Sequence, residues 1–110
     1  MEKRKQQKLQ ARGWQVGSAA EFLGLSAEEA ALVEVKLRLS QALRRRRAAL
    51  SLTQVAVAER LGSSQSRVAK MEAGDRTVSI DLLMKALVAL GATPQEVGKA
   101  LQRRSGGVAA

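Results

Sequence analysis

Apolar residues recur along this chain at helical spacing, and residues that start and stop helices bracket each run. Val57, Ala58 and Leu61 make one stripe. Thr53 precedes it, with a hydroxyl that can accept a bond from an orphan backbone N–H, and Gly62 follows it, where a left-handed residue is favoured. Val68 and Met71 make the next stripe, between Ser64 and Gly74. Ile80, Leu83, Leu87 and Leu90 make a third, opened by Ser79 and ended by Gly91. Val97, Ala100 and Leu101 belong to a last helix that runs to Arg104. Its start, Thr93-Pro-Gln-Glu96, combines a capping residue, Pro at the first helical position and Glu at the third.

Upstream, Ser26-Ala-Glu-Glu29 reads as a capping box for a long helix, because no Gly or Pro follows until well past Ala49. About 23 residues would give a rod of roughly 35 Å. One stripe holds Leu32, Val35, Leu39, Leu43 and Leu50, while Ala30, Val33 and Leu37 lie on another face. A helix apolar on more than one side needs more than one partner. A short helix over Ala19–Leu23, opened by the box Ser18–Glu21, is one, and a dimer contact is the other. Trp14, Phe22 and Leu25 read as anchors that pack this segment on the domain. Arg44 to Arg47 spread around the helical circumference near the C-terminus, where cations also oppose the dipole. One is expected in an ion pair, the others toward solvent or phosphate.

No strand pattern and no repeat is present. The fold class is therefore all-α, with five or six helices. Residues 1–17 read as a basic, flexible arm carrying Lys3, Arg4, Lys5, Lys8 and Arg12, residues 18–104 as one helical domain, and residues 105–110 as a fraying tail.

Charge narrows the partner. The 110 residues hold 19 Lys plus Arg against 10 Asp plus Glu, a net charge of +9. Such an excess favours a polyanion. With Trp14 and Phe22 as the only aromatics, stacking on single-stranded bases has little material. The absence of Cys and His removes disulfides, thiolate and imidazole metal sites and the commonest general base. No acidic pair has supporting context, and no Gly-rich phosphate loop follows a strand. Ser63, Ser64 and Ser66 lack a base and are accounted for as turn and cap residues. The expectation is a non-enzyme that needs no cofactor or metal. No apolar run approaches the roughly 18 residues that span a bilayer, so a cytoplasmic protein without membrane contact is expected.

The two short helices around Gly62 form a helix-turn-helix at this spacing. On the second, Gln65, Ser66, Arg67 and Lys70 face outward, and such donors and cations are what a reader of the DNA major groove needs.

These residues resemble a family. Leu52-Thr53-Gln54, Ala58-Glu-Arg-Leu-Gly62, Ser64-Gln65-Ser66-Arg67-Val68 and Met71-Glu72-Ala-Gly74 are similar to the XRE/Cro-type, phage-repressor-like helix-turn-helix domain. The likeness covers Leu37 to Leu90 and extends through Leu-Gly-Ala-Thr-Pro. Ala20 to Ser26, with the long helix after it, is similar to the HigA-like branch, whose members include antitoxins.

The resemblance implies roles. Gln54 would bond a DNA phosphate, and Gln65 would present its amide to adenine. Ser66 and Lys70 would reach neighbouring bases, and Arg67 a phosphate or a guanine. Ser64 would cap the helix and touch backbone. Arg47 matches the family arginine that pairs with the glutamate ending the recognition helix, here Glu72, in a structural ion pair. Two departures stand out: Ser63 occupies a usually apolar turn position, and Val55 a usually polar one.

The expected function is a sequence-specific regulator of double-stranded DNA. Residues 65–73 would lie in the major groove, with a homodimer on a pseudo-palindrome. The last helix and the N-terminal half of the long helix are the favoured dimer surfaces. An alternative is an antitoxin that neutralises a HigB-like toxin and autoregulates its operon. A third is an adaptor that contacts transcription machinery with little sequence preference.

Overall fold

The computed structural model describes residues 24–103. Five helices follow one another, with no strand among the described residues: α1 (Ala27–Ala49), α2 (Gln54–Leu61), α3 (Gln65–Ala73), α4 (Ile80–Ala89) and α5 (Pro94–Gln102). The expected arm, the Ala19–Leu23 helix, Trp14, Phe22 and the tail lie outside the described residues. The chain divides into two compact units, residues 1–34 and 35–110. In the described part of the first, Ser26 N–H donates to Glu29 Oε1 at 2.9 Å and Glu29 N–H to Ser26 Oγ at 3.1 Å. This reciprocal box satisfies two backbone donors that α1 cannot satisfy itself.

The second unit is built around Leu39, Leu43, Val57, Val68 and Leu83, each with no solvent exposure. They come from α1, α2, α3 and α4, so four helices close on one apolar centre. α5 adds Ala100, with Val97 and Leu101 packed at the margin. The α1 stripe is shorter than its periodicity predicts. Leu39, Ala42 and Leu43 are buried, but Leu32 is 57% exposed and Leu50 39% exposed. Helical spacing shows which residues share a face of α1, but burial follows where other helices pack, so Leu32 and Leu50 share the spacing without the burial.

Local chemistry explains the element ends. Thr53, Ser64, Ser79 and Thr93 all have extended backbone and accept a bond from the third residue of their helices. Thr93 and Glu96 complete a second box, beside Pro94. After α2, Gly62 N–H bonds Glu59 O at 3.2 Å and Ser63 N–H bonds Ala58 O at 2.8 Å, with Gly62 at φ 63. After α3, Gly74 (φ 68) and Asp75 repeat the pattern onto Met71 and Lys70. This paired closure satisfies carbonyls that the helix leaves open. The end of α1 has no glycine: Ser51 itself takes the left-handed conformation, at φ 55.

Ser63 is the weak point of the closure after α2, because an apolar side chain there normally packs back on the helix. Beside it lies a cavity of about 380 Å³ lined by Leu61, Met71 and Leu82 among others. Ser63→Leu is expected to raise the unfolding free energy by about 1 kcal/mol. A urea titration checks this, and an unchanged or lower midpoint would contradict the packing argument.

Candidate nucleic-acid interface

The first residues of α3 are oriented by the turn before them. Ser64 Oγ accepts from Arg67 N–H at 3.2 Å and lies 3.4 Å from Ser66 Oγ. Val68 and Met71 then anchor α3 in the core. Helical periodicity leaves Gln65, Ser66, Ala69, Lys70 and Ala73 on the opposite face. Gln65, Ser66 and Lys70 are exposed on it. Ala69 and Ala73 belong to this face too, and sequence reasoning passed over them because alanine carries no polar signal. Their small methyl groups let a neighbouring surface approach the helix closely.

Arg67 takes a different direction, next to the buried Met71 rather than next to Gln65. It lines the cavity beside Ser63 together with Arg60 and Lys85. Three cations thus bracket the turn, from α2, α3 and α4. Arg60 and Lys85 were not singled out from the sequence, because only the packing of α4 against the motif brings the three together.

Behind the exposed face runs a chain of side-chain hydrogen bonds. Arg47 Nε donates to Glu72 Oε2 at 2.6 Å, and Arg47 Nη2 to Glu72 Oε1 at 3.0 Å. Such a two-point pair is stronger and more directional than a single contact. Its hydrogen bond to Glu72 raises the Arg47 pKa above its ordinary value, outweighing the cost of desolvation. Arg47 Nη1 also donates to Leu52 O at 3.1 Å. The same guanidinium therefore holds α3 and the α1–α2 link. Glu72 Oε1 accepts further from Gln54 Nε2 at 3.1 Å, and Gln54 Oε1 accepts from Gln65 Nε2 at 2.7 Å. The connection runs Arg47, Glu72, Gln54, Gln65, from α1 to the first residue of α3.

This arrangement leaves defined groups unused. An amide side chain has two N–H donors and one carbonyl acceptor. Gln65 spends one donor on Gln54, leaving one N–H and its carbonyl. That remaining pair is what two-point recognition of an adenine edge requires.

The four arginines divide differently from expectation. Two are in ion pairs rather than one. Arg46 donates from Nη1 to Glu96 Oε2 at 3.1 Å and from Nε to Leu90 O at 2.9 Å, joining α1 to the α4–α5 turn. Gly91 permits this, since a Cβ there would lie 2.9 Å from Arg46 Nη2. Val55, the other departure, is 55% exposed on α2.

Among the described residues no group of carboxylates could hold a metal ion, and no helix is long and apolar enough to cross a membrane. A family model described as a helix-turn-helix, HTH_3, matches residues 43–97. That span runs from the buried Leu43 through the first half of α5. No curated protein and no solved structure matches the chain.

Proposed function

We propose a function from one premise: the chain belongs to the XRE-family helix-turn-helix proteins, which supports a DNA-binding regulator. The reading is sequence-specific binding of double-stranded DNA, with α3 in the major groove. The observation that carries it is Gln65. It is exposed at the start of α3, steadied by Gln54, and retains one N–H and one carbonyl for a base edge. Ser66 and Lys70 share its face and would meet neighbouring bases, while Ala69 and Ala73 allow close approach. Arg67, with Arg60 and Lys85, would meet phosphates beside the turn, and Ser64 the backbone at the helix start. Gln54 would contact a phosphate with its remaining N–H while keeping Gln65 aligned. Arg47 and Glu72 act as the structural pair that sets the angle of α3.

One α3 reads too few bases for useful discrimination. A homodimer on a pseudo-palindromic operator, with half-sites about 34 Å apart, removes that limit. Selection of bound sequences from a random DNA pool tests both points. A palindromic consensus supports the reading, and enrichment of no sequence sinks it. Gln65→Ala is expected to relax preference at one base position by about 1–3 kcal/mol and leave the others unchanged. Competition footprinting against single-base operator variants measures this. Wild-type discrimination at every position would remove Gln65 from its role.

A second reading, an antitoxin function, draws on Leu32 and Val33, which are 57% and 45% exposed on the first part of α1. Such residues suit a protein partner. Co-expression with the product of a neighbouring small basic reading frame tests it, and failure to form a complex would remove it.

A further inference from the structure

A second cavity, also of about 380 Å³, lies between the C-terminal half of α1, the end of α4 and α5. Its apolar lining comes from Ala42, Ala49, Leu87, Ala92, Val97 and Ala100. Its charged lining comprises four cations, Arg45, Arg46, Lys99 and Arg103, against one carboxylate, Glu96. That carboxylate is already committed: Glu96 accepts from Thr93 N–H at 2.9 Å and pairs with Arg46 at 3.1 Å. These contacts hold its pKa below the ordinary carboxylate value. Arg45, Lys99 and Arg103 make no ion pair among the described residues.

Three cations therefore share one concave surface with no ion-pair partner among the described residues, since Glu96 there is paired with Arg46. Arg45 is half-buried there, and its pKa is lowered, first by desolvation and then by repulsion from Arg103. Holding such cations together costs free energy that an incoming anion would recover. The contacts that hold α1 to this end of the fold use other groups: Arg46 reaches Leu90 O and Glu96, and Ala100 fills the core. The apolar floor distinguishes this cleft from a flat phosphate-binding surface: a bare inorganic anion would satisfy the rim and leave the floor empty. Binding sites for small molecules combine such an apolar lining with a few converging polar groups at volumes of about 300–1,000 Å³.

We propose that this cleft binds a small organic anion, with a carboxylate or phosphate between Arg45, Lys99 and Arg103 and an apolar body of about ring size against Leu87 and Val97. It is separate from the α3 face and does not depend on the DNA reading. In a regulator, it would be an effector site.

The test titrates the full chain with phenyl phosphate, inorganic phosphate and phenol, followed by calorimetry and by amide shifts in NMR. Saturable binding of phenyl phosphate at one site per chain, with shifts centred on Arg45, Leu87, Val97 and Lys99, is expected. Inorganic phosphate should bind at least about tenfold more weakly and phenol not measurably. Arg45→Gln and Arg103→Gln should each weaken phenyl phosphate binding about tenfold, equivalent to about 1.4 kcal/mol. Arg76→Gln, which removes an exposed cation outside the cleft, should leave it unchanged. Equal binding of the two phosphates would reduce the site to general charge attraction and overturn the proposal. So would non-saturable shifts, or full affinity in both arginine variants. Arg103 is exposed, so its variant reads binding even if Arg45→Gln disturbs the fold.

Discussion

Glu72→Ala is expected to lower the unfolding free energy by about 3 kcal/mol, because removing one member of a buried ion pair strands the other. Glu72 keeps 5% of its side-chain exposure and Arg47 21%. Arg47 can thus reach some water after the loss, which puts the effect toward the lower end for such removals. Two contacts from Arg47 and one from Gln54 disappear together. Glu72→Gln, which keeps the shape and one acceptor, should cost less. Urea unfolding of the three proteins measures the order. On DNA, Glu72→Ala should weaken binding to all sequences, because α3 loses its orientation, whereas Gln65→Ala acts at one base position. A stability loss under about 1 kcal/mol would mean that the pair behaves as an exposed one and carries no orientation.

Leu43→Ala is the second large effect. Leu43 has no exposed surface and sits in α1 among Val57, Val68 and Leu83. Truncation removes apolar contact and leaves a void that neighbouring helices fill only in part, at a cost of about 2–5 kcal/mol. Total stabilities run near 0.05–0.15 kcal/mol per residue, so for a unit this small the change approaches the whole, about 4–11 kcal/mol. Loss of a cooperative transition near room temperature, or a midpoint shift of that size, is the expected result by circular dichroism. Leu50→Ala provides the contrast. Leu50 has the same residue type on the same periodic stripe but is 39% exposed, and its loss should cost about 1 kcal/mol or less. Similar effects for the two would mean that the core is not centred where these burials put it.

The helix boundaries were legible because their causes are local. Ser26 with Glu29, and Thr93 with Pro94 and Glu96, are short segments whose side chains bond their own backbone. Gly62 and Gly74 mark closures that need a left-handed residue, and glycine announces it. Ser51 does the same at the end of α1 without announcing it, since serine seldom adopts φ 55 and nothing nearby in sequence requires it. The amphipathic stripes of α2, α3 and α4 were readable for a similar reason: short helices pack along most of their length. α1 is long, and its periodicity could not tell which leucines meet a neighbour.

The candidate site divides along the same line. The residue types on the outward face of α3 could be read from spacing, and the resemblance paired Arg47 with Glu72. The hydrogen bond that makes Gln54 and Gln65 one unit joins residues eleven apart, and only the angle between α2 and α3 brings their amides to 2.7 Å. The four arginines make the distinction sharpest. Consecutive residues on a helix point in widely different directions, so their positions imply different surroundings but do not identify them. Packing decides that Arg47 meets Glu72, that Arg46 crosses Gly91 to Leu90 and Glu96, and that Arg45 lines the cleft with Arg103. The sequence by itself determined an all-helical chain, its caps and turns and the outward face of α3, because those follow from neighbours within a few residues. The tertiary structure decided which charges are paired, which leucines are buried and where the cations converge, because each depends on a partner from a distant helix.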